Sequence, residues 1–141
     1  MKNLTTLILV AGKSSRFKSK KSKIFHELAG LPIINHVYET ARKISKDNII
    51  FVCNKQNINL LKLKFPNSRC VLQKNQNGTA DAVLSAKKII NNNSDILILF
   101  GDAPLVSYKS LKNLCKNYLK NKSLGSMLAF NSLNPFGYGR L

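Results

Sequence analysis

The chain has 141 residues and a formal net charge of +17, with 23 Lys and Arg against 6 Asp and Glu. That length predicts one domain with a real core, and no apolar run approaches the ~18 residues that a membrane span needs. Three cysteines, Cys53, Cys70 and Cys115, are odd in number and far apart, which argues against a disulfide framework and a structural zinc site.

The N-terminal stretch Met1–Gly12 faintly resembles a signal peptide. Its apolar core is short and Lys13 follows directly, so Thr5–Val10 reads as a first β-strand and the protein as cytoplasmic. The chain then turns through Gly12 into a loop carrying Lys13, Arg16, Lys18, Lys20, Lys21 and Lys23. Ile33–Ile44 places Ile33, Ile34, Val37, Ala41 and Ile44 at helical period, with Pro32 at a plausible first helical position. Ile49–Val52 is a second strand. Ile58–Phe65 is a short amphipathic helix stopped by Pro66-Asn67, and Cys70–Leu72 is a third strand. Ala80–Ile90 is helical, with Ala82, Val83, Ala86, Ile89 and Ile90 on one face. Ile96–Phe100 is a fourth strand. Ser107–Leu119 is a helix with Leu111, Leu114, Cys115, Tyr118 and Leu119 inward, and Ser126–Phe130 is a fifth strand.

This βαβαβαβαβ order predicts an α/β fold: an open, mostly parallel, Rossmann-like sheet with helices on both faces. The strands are continuous apolar runs, as expected when both faces are covered. In such sheets ligands bind outside the carboxyl ends of the strands, and Gly12, Gly78 and Gly101 fall in or near loops on that edge. Tyr138 and Leu141 read as the start of another strand, so the domain is expected to be incomplete at its C-terminal end.

Gly12-Lys13-Ser14 looks like the end of a Walker A loop, but the upstream glycine position is Leu7, so that motif fails. A dinucleotide G-x-G-x-x-G fails too, because Ser14 stands two residues after Gly12. What remains is a strand that empties into a small cationic loop, where bare backbone N–H groups and cations reach phosphate. Arg16 offers a bidentate fork, and Lys13 and Lys23 act as point charges; the alternative is a solvated basic loop. Gln73 offers both donor and acceptor, as a base edge requires. Gly78 permits close backbone approach, and Thr79 has a structural alternative as a helix N-cap. Asp102, after the fourth strand, is a candidate Mg²⁺ ligand, with a turn cap through Pro104 as its structural alternative. Asp81, in a helix's first turn, and Asp95, just before a strand, read as less functional. His26 and His36 are isolated from any ligand cluster. The positive charge would attract nucleic acid. Its lysines, however, are spread along the whole chain, and neither an aromatic stacking array nor a binding motif accompanies them.

Taken together, Leu9–Phe17, Lys23–His26, Leu28–Pro32 with His36-Val37, Gln73 with Gly78-Thr79-Ala80, Gly101–Leu105 and Gly137–Arg140 resemble the sugar-1-phosphate nucleotidyltransferases. The resemblance is nearest to those that uridylylate N-acetylglucosamine-1-phosphate for cell-wall and lipopolysaccharide synthesis. Two positions depart from the family's pattern: Ser14 stands for a second loop glycine and Ser22 for the proline before the motif lysine. The resemblance implies that the Leu9-Val10-Ala11-Gly12 backbone and Gln73 hold uracil, with Gly78 and Thr79 nearby. It further implies that Lys23 binds phosphate, Arg16 stabilises transition-state charge on the triphosphate, Asp102 ligates Mg²⁺ and Gly139 contacts the amino sugar. The implied partners are UTP and N-acetylglucosamine-1-phosphate, with no membrane and no specific nucleic acid. In the family, further sugar and metal ligands and an acetylating β-helix come from later sequence, and the full-length parent is expected to be a homotrimer. Three functional readings follow: this uridyltransferase or another nucleotidyltransferase of the same fold, a nucleotide-binding fragment without chemistry, and a basic nucleic-acid binder.

Overall fold

The computed structural model describes residues 3–12, 19, 21–134, 136 and 137. The chain divides into two compact units, Met1–Tyr108 and Lys109–Leu141.

In the first unit the strands β1 (Leu4–Val10), β4 (Ile49–Cys53), β5 (Arg69–Leu72) and β6 (Asp95–Phe100) form one sheet in the order β5-β4-β1-β6. All three pairings are parallel. Leu7 lies opposite Ile50 on one side and Ile98 on the other. Because side chains alternate across a strand, this register sorts the core into two layers. Leu7, Ile50 and Val52 pack on one face with Ala82 of helix α3 (Thr79–Ser85) and with Ala86, its C-cap. Phe51, facing the other way, stacks with Tyr38 of α1 (Ile33–Ser45) at 5.9 Å and with Phe65, which follows α2 (Ile58–Lys64), at 5.1 Å. β4 is buried along its whole length, which is why its sequence is an unbroken apolar run. The sheet is thus the parallel α/β structure expected, with helices on both faces of its centre. Two strands with hydrogen-bonded neighbours on both sides, β1 and β4, carry most of that burial.

β6 departs from that pattern. Leu97 and Leu99 are buried, whereas Ile96, Ile98 and Phe100 are 41–52% exposed. An edge strand covered on one face alternates in burial whatever its composition.

Several boundaries differ from those predicted. The continuous helix expected over Ala80–Ile90 ends at Ser85, and a 3₁₀ turn, Lys87–Ile89, follows. Ile89 and Ile90 N–H both reach the Ala86 carbonyl, and this tighter turn keeps both isoleucines against the Leu7 layer. Pro32 is the N-cap of α1 rather than its first residue. It closes a small hairpin of β2 (Glu27–Leu28) and β3 (Leu31–Pro32) that the sequence pattern does not announce. The two linking residues, Ala29 and Gly30, both have positive φ (50° and 77°), as two-residue hairpins of type I′ require.

α4 (Tyr108–Asn121), in the second unit from Lys109 on, keeps Leu111, Leu114, Cys115 and Tyr118 as its least exposed side, while Leu119, expected inward, is 50% exposed. The fifth strand expected at Ser126–Phe130 does not form; these residues are exposed and irregular and belong to no ladder. An apolar run specifies burial, but a strand also needs a neighbour's edge to satisfy its N–H and C=O groups.

Candidate functional site

The strand order sets the position of the site. From β1 the chain winds outward through β4 to β5, then returns to lay β6 on the opposite side of β1. The carboxyl ends of β1 and β6 therefore flank a topological switch point, where open α/β sheets leave a crevice. A cleft of about 390 Å³ opens there. Leu9, Val10, Ala11 and Gly12 line it from β1. Ser22, Lys23 and Ile24 line it from a 3₁₀ turn, Gln73, Gln76, Gly78, Thr79 and Ala82 from the β5–α3 connection, and Phe100 and Asp102 from β6. The fold thus gathers Leu9, Val10, Ala11, Gly12, Lys23, Gln73, Gly78, Thr79 and Asp102, separated by up to 93 positions in sequence, into one cleft. Arg16 and Gly139 lie outside the described residues.

The floor of the cleft is held by side-chain amides that the sequence reading did not single out. Asn57, 1% exposed, donates from Nδ2 to the Val10 carbonyl at 3.0 Å. Asn54 Nδ2 and Gln76 Nε2 both donate to the Ala11 carbonyl, at 3.3 and 3.0 Å. Asn54 also accepts from the Asn57 backbone N–H at 2.9 Å, which locks the two asparagines together. In a trans peptide the N–H points away from the C=O, so fixing these carbonyls also fixes the direction of the Ala11 and Gly12 N–H groups. Loss of Asn57 would take this donor from the Val10 oxygen, whereas the Ala11 oxygen has two, and buried polar groups are costly to strand.

On the opposite wall, the Gly101 N–H donates to the Leu9 carbonyl at 3.0 Å and carries the β1–β6 ladder one residue past the strand. Asp102 therefore follows directly from a fixed point. Its Oδ2 lies 3.1 Å from Lys23 Nζ, with the two side chains 49% and 40% exposed. So open an ion pair is weak, and either partner is free to exchange for a phosphate or a cation. Among the described residues no three His, Cys, Asp or Glu side chains converge. One accessible carboxylate suits a hard cation held mostly by ligand phosphates and water.

The β5–α3 connection shows two departures. Thr79 is not the N-cap of α3; Gly78 holds that position at φ 96°, ψ −173°, a conformation that favours glycine. Gln73 does not offer a free donor and acceptor. Its Nε2 donates to the Gly78 carbonyl at 3.2 Å and to Asp81 Oδ2 at 2.6 Å, so Asp81 serves the site indirectly.

Cys53 lies buried in β4. A hydrogen bond with the Cys70 thiol and burial push its thiol well above the ordinary range. The same hydrogen bond draws Cys70 down, helped by the Lys62 charge. No helix among the described residues is long and apolar enough to cross a membrane.

Comparison with known proteins agrees with this architecture. Residues 6–137 match the model of the MobA-like NTP transferase domain. The chain is 37% identical over 141 residues to the bifunctional protein GlmU of Buchnera aphidicola subsp. Schizaphis graminum, covering 99% of this chain and 30% of the relative. It is 34% identical over 141 residues to the bifunctional protein GlmU of Clostridioides difficile, with the same coverage. The chain thus spans about 30% of the length of these curated relatives. Among solved structures, mannose-1-phosphate geranyltransferase from Thermus thermophilus superposes with a TM-score of 0.70 at 16% identity, over 87% of this chain and 39% of that one. A cytidylyltransferase from Leptospira borgpetersenii gives 0.63 at 19% identity, over 86% and 50%. These two likenesses concern the fold. The match along nearly the whole sequence settles the family: the chain belongs to the MobA-like NTP transferase domains.

Proposed function

We propose that this chain binds UTP with Mg²⁺ in the strand-end cleft and provides the nucleotide half of a uridyltransferase that moves UMP onto N-acetylglucosamine-1-phosphate. The observation that carries the proposal is the convergence of the Gly12 backbone, Lys23, Gln73, Gly78 and Asp102 on one cleft at the switch point. The choice of sugar and base rests on the sequence resemblance and on the shared name of the relatives.

In the proposed reaction a phosphate oxygen of the sugar phosphate attacks the α-phosphorus of UTP in line. The bond from that phosphorus to the bridging oxygen breaks, and pyrophosphate leaves with the electron pair. The nucleophile is already anionic, so no general base is required. Positioning and charge neutralisation supply the catalysis. Asp102 would hold Mg²⁺, which when bound neutralises charge on the triphosphate oxygens. Lys23, released from Asp102, would turn to a phosphate. Gln73 and the Gly78 turn would seat the base. Arg16 would stabilise transition-state charge and Gly139 would touch the amino sugar; both roles rest on the resemblance. A UTP-consuming reaction implies a cytoplasmic location, and a homotrimer is proposed for the longer parent.

Calorimetric titration with UTP in the presence of Mg²⁺, alongside pyrophosphate release after adding the sugar phosphate, tests the proposal. Saturable one-to-one binding that weakens in Lys23→Ala and Asp102→Asn is expected. Absence of UTP binding would exclude it.

A further inference from the structure

Gln73 is 6% exposed and lines the cleft, whereas Asp81 stands behind it in the first turn of α3. The Gly78 carbonyl and the Asp81 carboxylate can only accept, so the nitrogen of the Gln73 amide must be the atom that faces them. A primary amide has two N–H groups, and both are engaged. Oε1, an acceptor, is then what remains of this amide to meet a ligand. Turning the amide over would set Oε1 against a carboxylate oxygen where a 2.6 Å hydrogen bond now stands. That contact is charge-assisted and the stronger of the two. Asp81 is itself well placed, since a carboxylate in the first turn of a helix is favoured by the helix dipole.

We propose that Asp81 is a positioning residue that holds the Gln73 amide acceptor-outward and thereby selects a pyrimidine with a ring N–H. Uracil carries a hydrogen on N3 and can donate to Oε1. Cytosine carries a lone pair at the same nitrogen, so two acceptors would face each other across a largely buried side chain. The discrimination is made by a residue outside the cleft lining, acting through the one that touches the base. This inference rests on the uridine-nucleotide reading above and deepens it.

The test is binding of UTP, CTP and N3-methyl-UTP to the whole chain, compared with Asp81→Asn and Asp81→Ser. Asparagine and serine can donate as well as accept, so neither holds the amide nitrogen as a carboxylate does and only the Gly78 carbonyl, at 3.2 Å, still demands it; serine is well tolerated near a helix N-terminus. The unsubstituted chain is expected to favour UTP over both other nucleotides by at least about tenfold, the worth of one hydrogen bond and its desolvation. In both variants the weaker Gly78 contact is what still orients the amide, so the preference for UTP over CTP should narrow to about threefold. A merely structural role would weaken all three nucleotides together. A UTP preference undiminished by both substitutions overturns the assignment to Asp81. A parent chain with no preference for UTP overturns the uridine reading instead.

Discussion

Gly101 couples the stability of the sheet to the geometry of the site, and Gly101→Ala exposes that coupling. A methyl group at this position would collide with the Val10 side chain, and would come within 3.2 Å of the Leu9 carbonyl oxygen and 3.3 Å of Ile34 Cδ1. Val10 and Ile34 are buried, at 4% and 0% exposure, and the carbonyl belongs to the ladder bond that Gly101 itself completes. The Leu9 oxygen is backbone and the Val10 methyl belongs to a stiff, buried β-branched side chain, so the end of β6 must move away from β1. Overpacking of this kind costs about 1–3 kcal/mol. For a chain of this size that lowers Tm by about 3–15 °C. The same displacement carries Asp102 with it, so Mg²⁺-dependent UTP affinity should fall as well. Differential scanning fluorimetry and calorimetric titration on one preparation read both effects. A Gly101→Ala chain with unchanged Tm and unchanged affinity would refute the reasoning.

Phe51→Ala removes a fully buried ring that packs against both Tyr38 and Phe65, and should cost about 3–5 kcal/mol by urea unfolding. Asn57→Ala strips the Val10 carbonyl of a donor. It should destabilise by about 1–3 kcal/mol and weaken UTP binding, although Asn57 does not line the cleft. Asp102→Asn should flatten the Mg²⁺ dependence of nucleotide binding, which a metal titration at fixed UTP would show. Brief alkylation near neutral pH should label Cys70 well before Cys53, because burial and the shared hydrogen bond keep Cys53 protonated; peptide mapping distinguishes the two.

The order of strands and helices was legible because the central strands are buried on both faces and leave unbroken apolar runs, as at Ile49–Cys53. What escaped was structure that depends on partners distant in sequence. The Ser126–Phe130 run has strand composition but joins no ladder, while the β2–β3 hairpin is too short to show a period. The site was legible to the extent that glycine and charge accumulate at strand ends: Gly12, Gly78, Lys23 and Asp102 all line the cleft. Asn54, Asn57 and Gln76 were not, because they bind backbone carbonyls 43, 47 and 65 residues away, and a carbonyl leaves no trace in the residue code. Asp81 was set aside as a first-turn carboxylate, which it is. Its hydrogen bond to Gln73 becomes apparent only in three dimensions.

The most direct test of the cleft as a uridine-nucleotide site is an amide NMR titration of the chain with UTP and Mg²⁺ at moderate salt. Saturable shifts at Gly12, Gln73, Gly78 and Thr79 are expected, with little change at lysines on the solvated faces. Shifts spread over those lysines, fading steeply as salt is raised and equally produced by any polyanion, would contradict it.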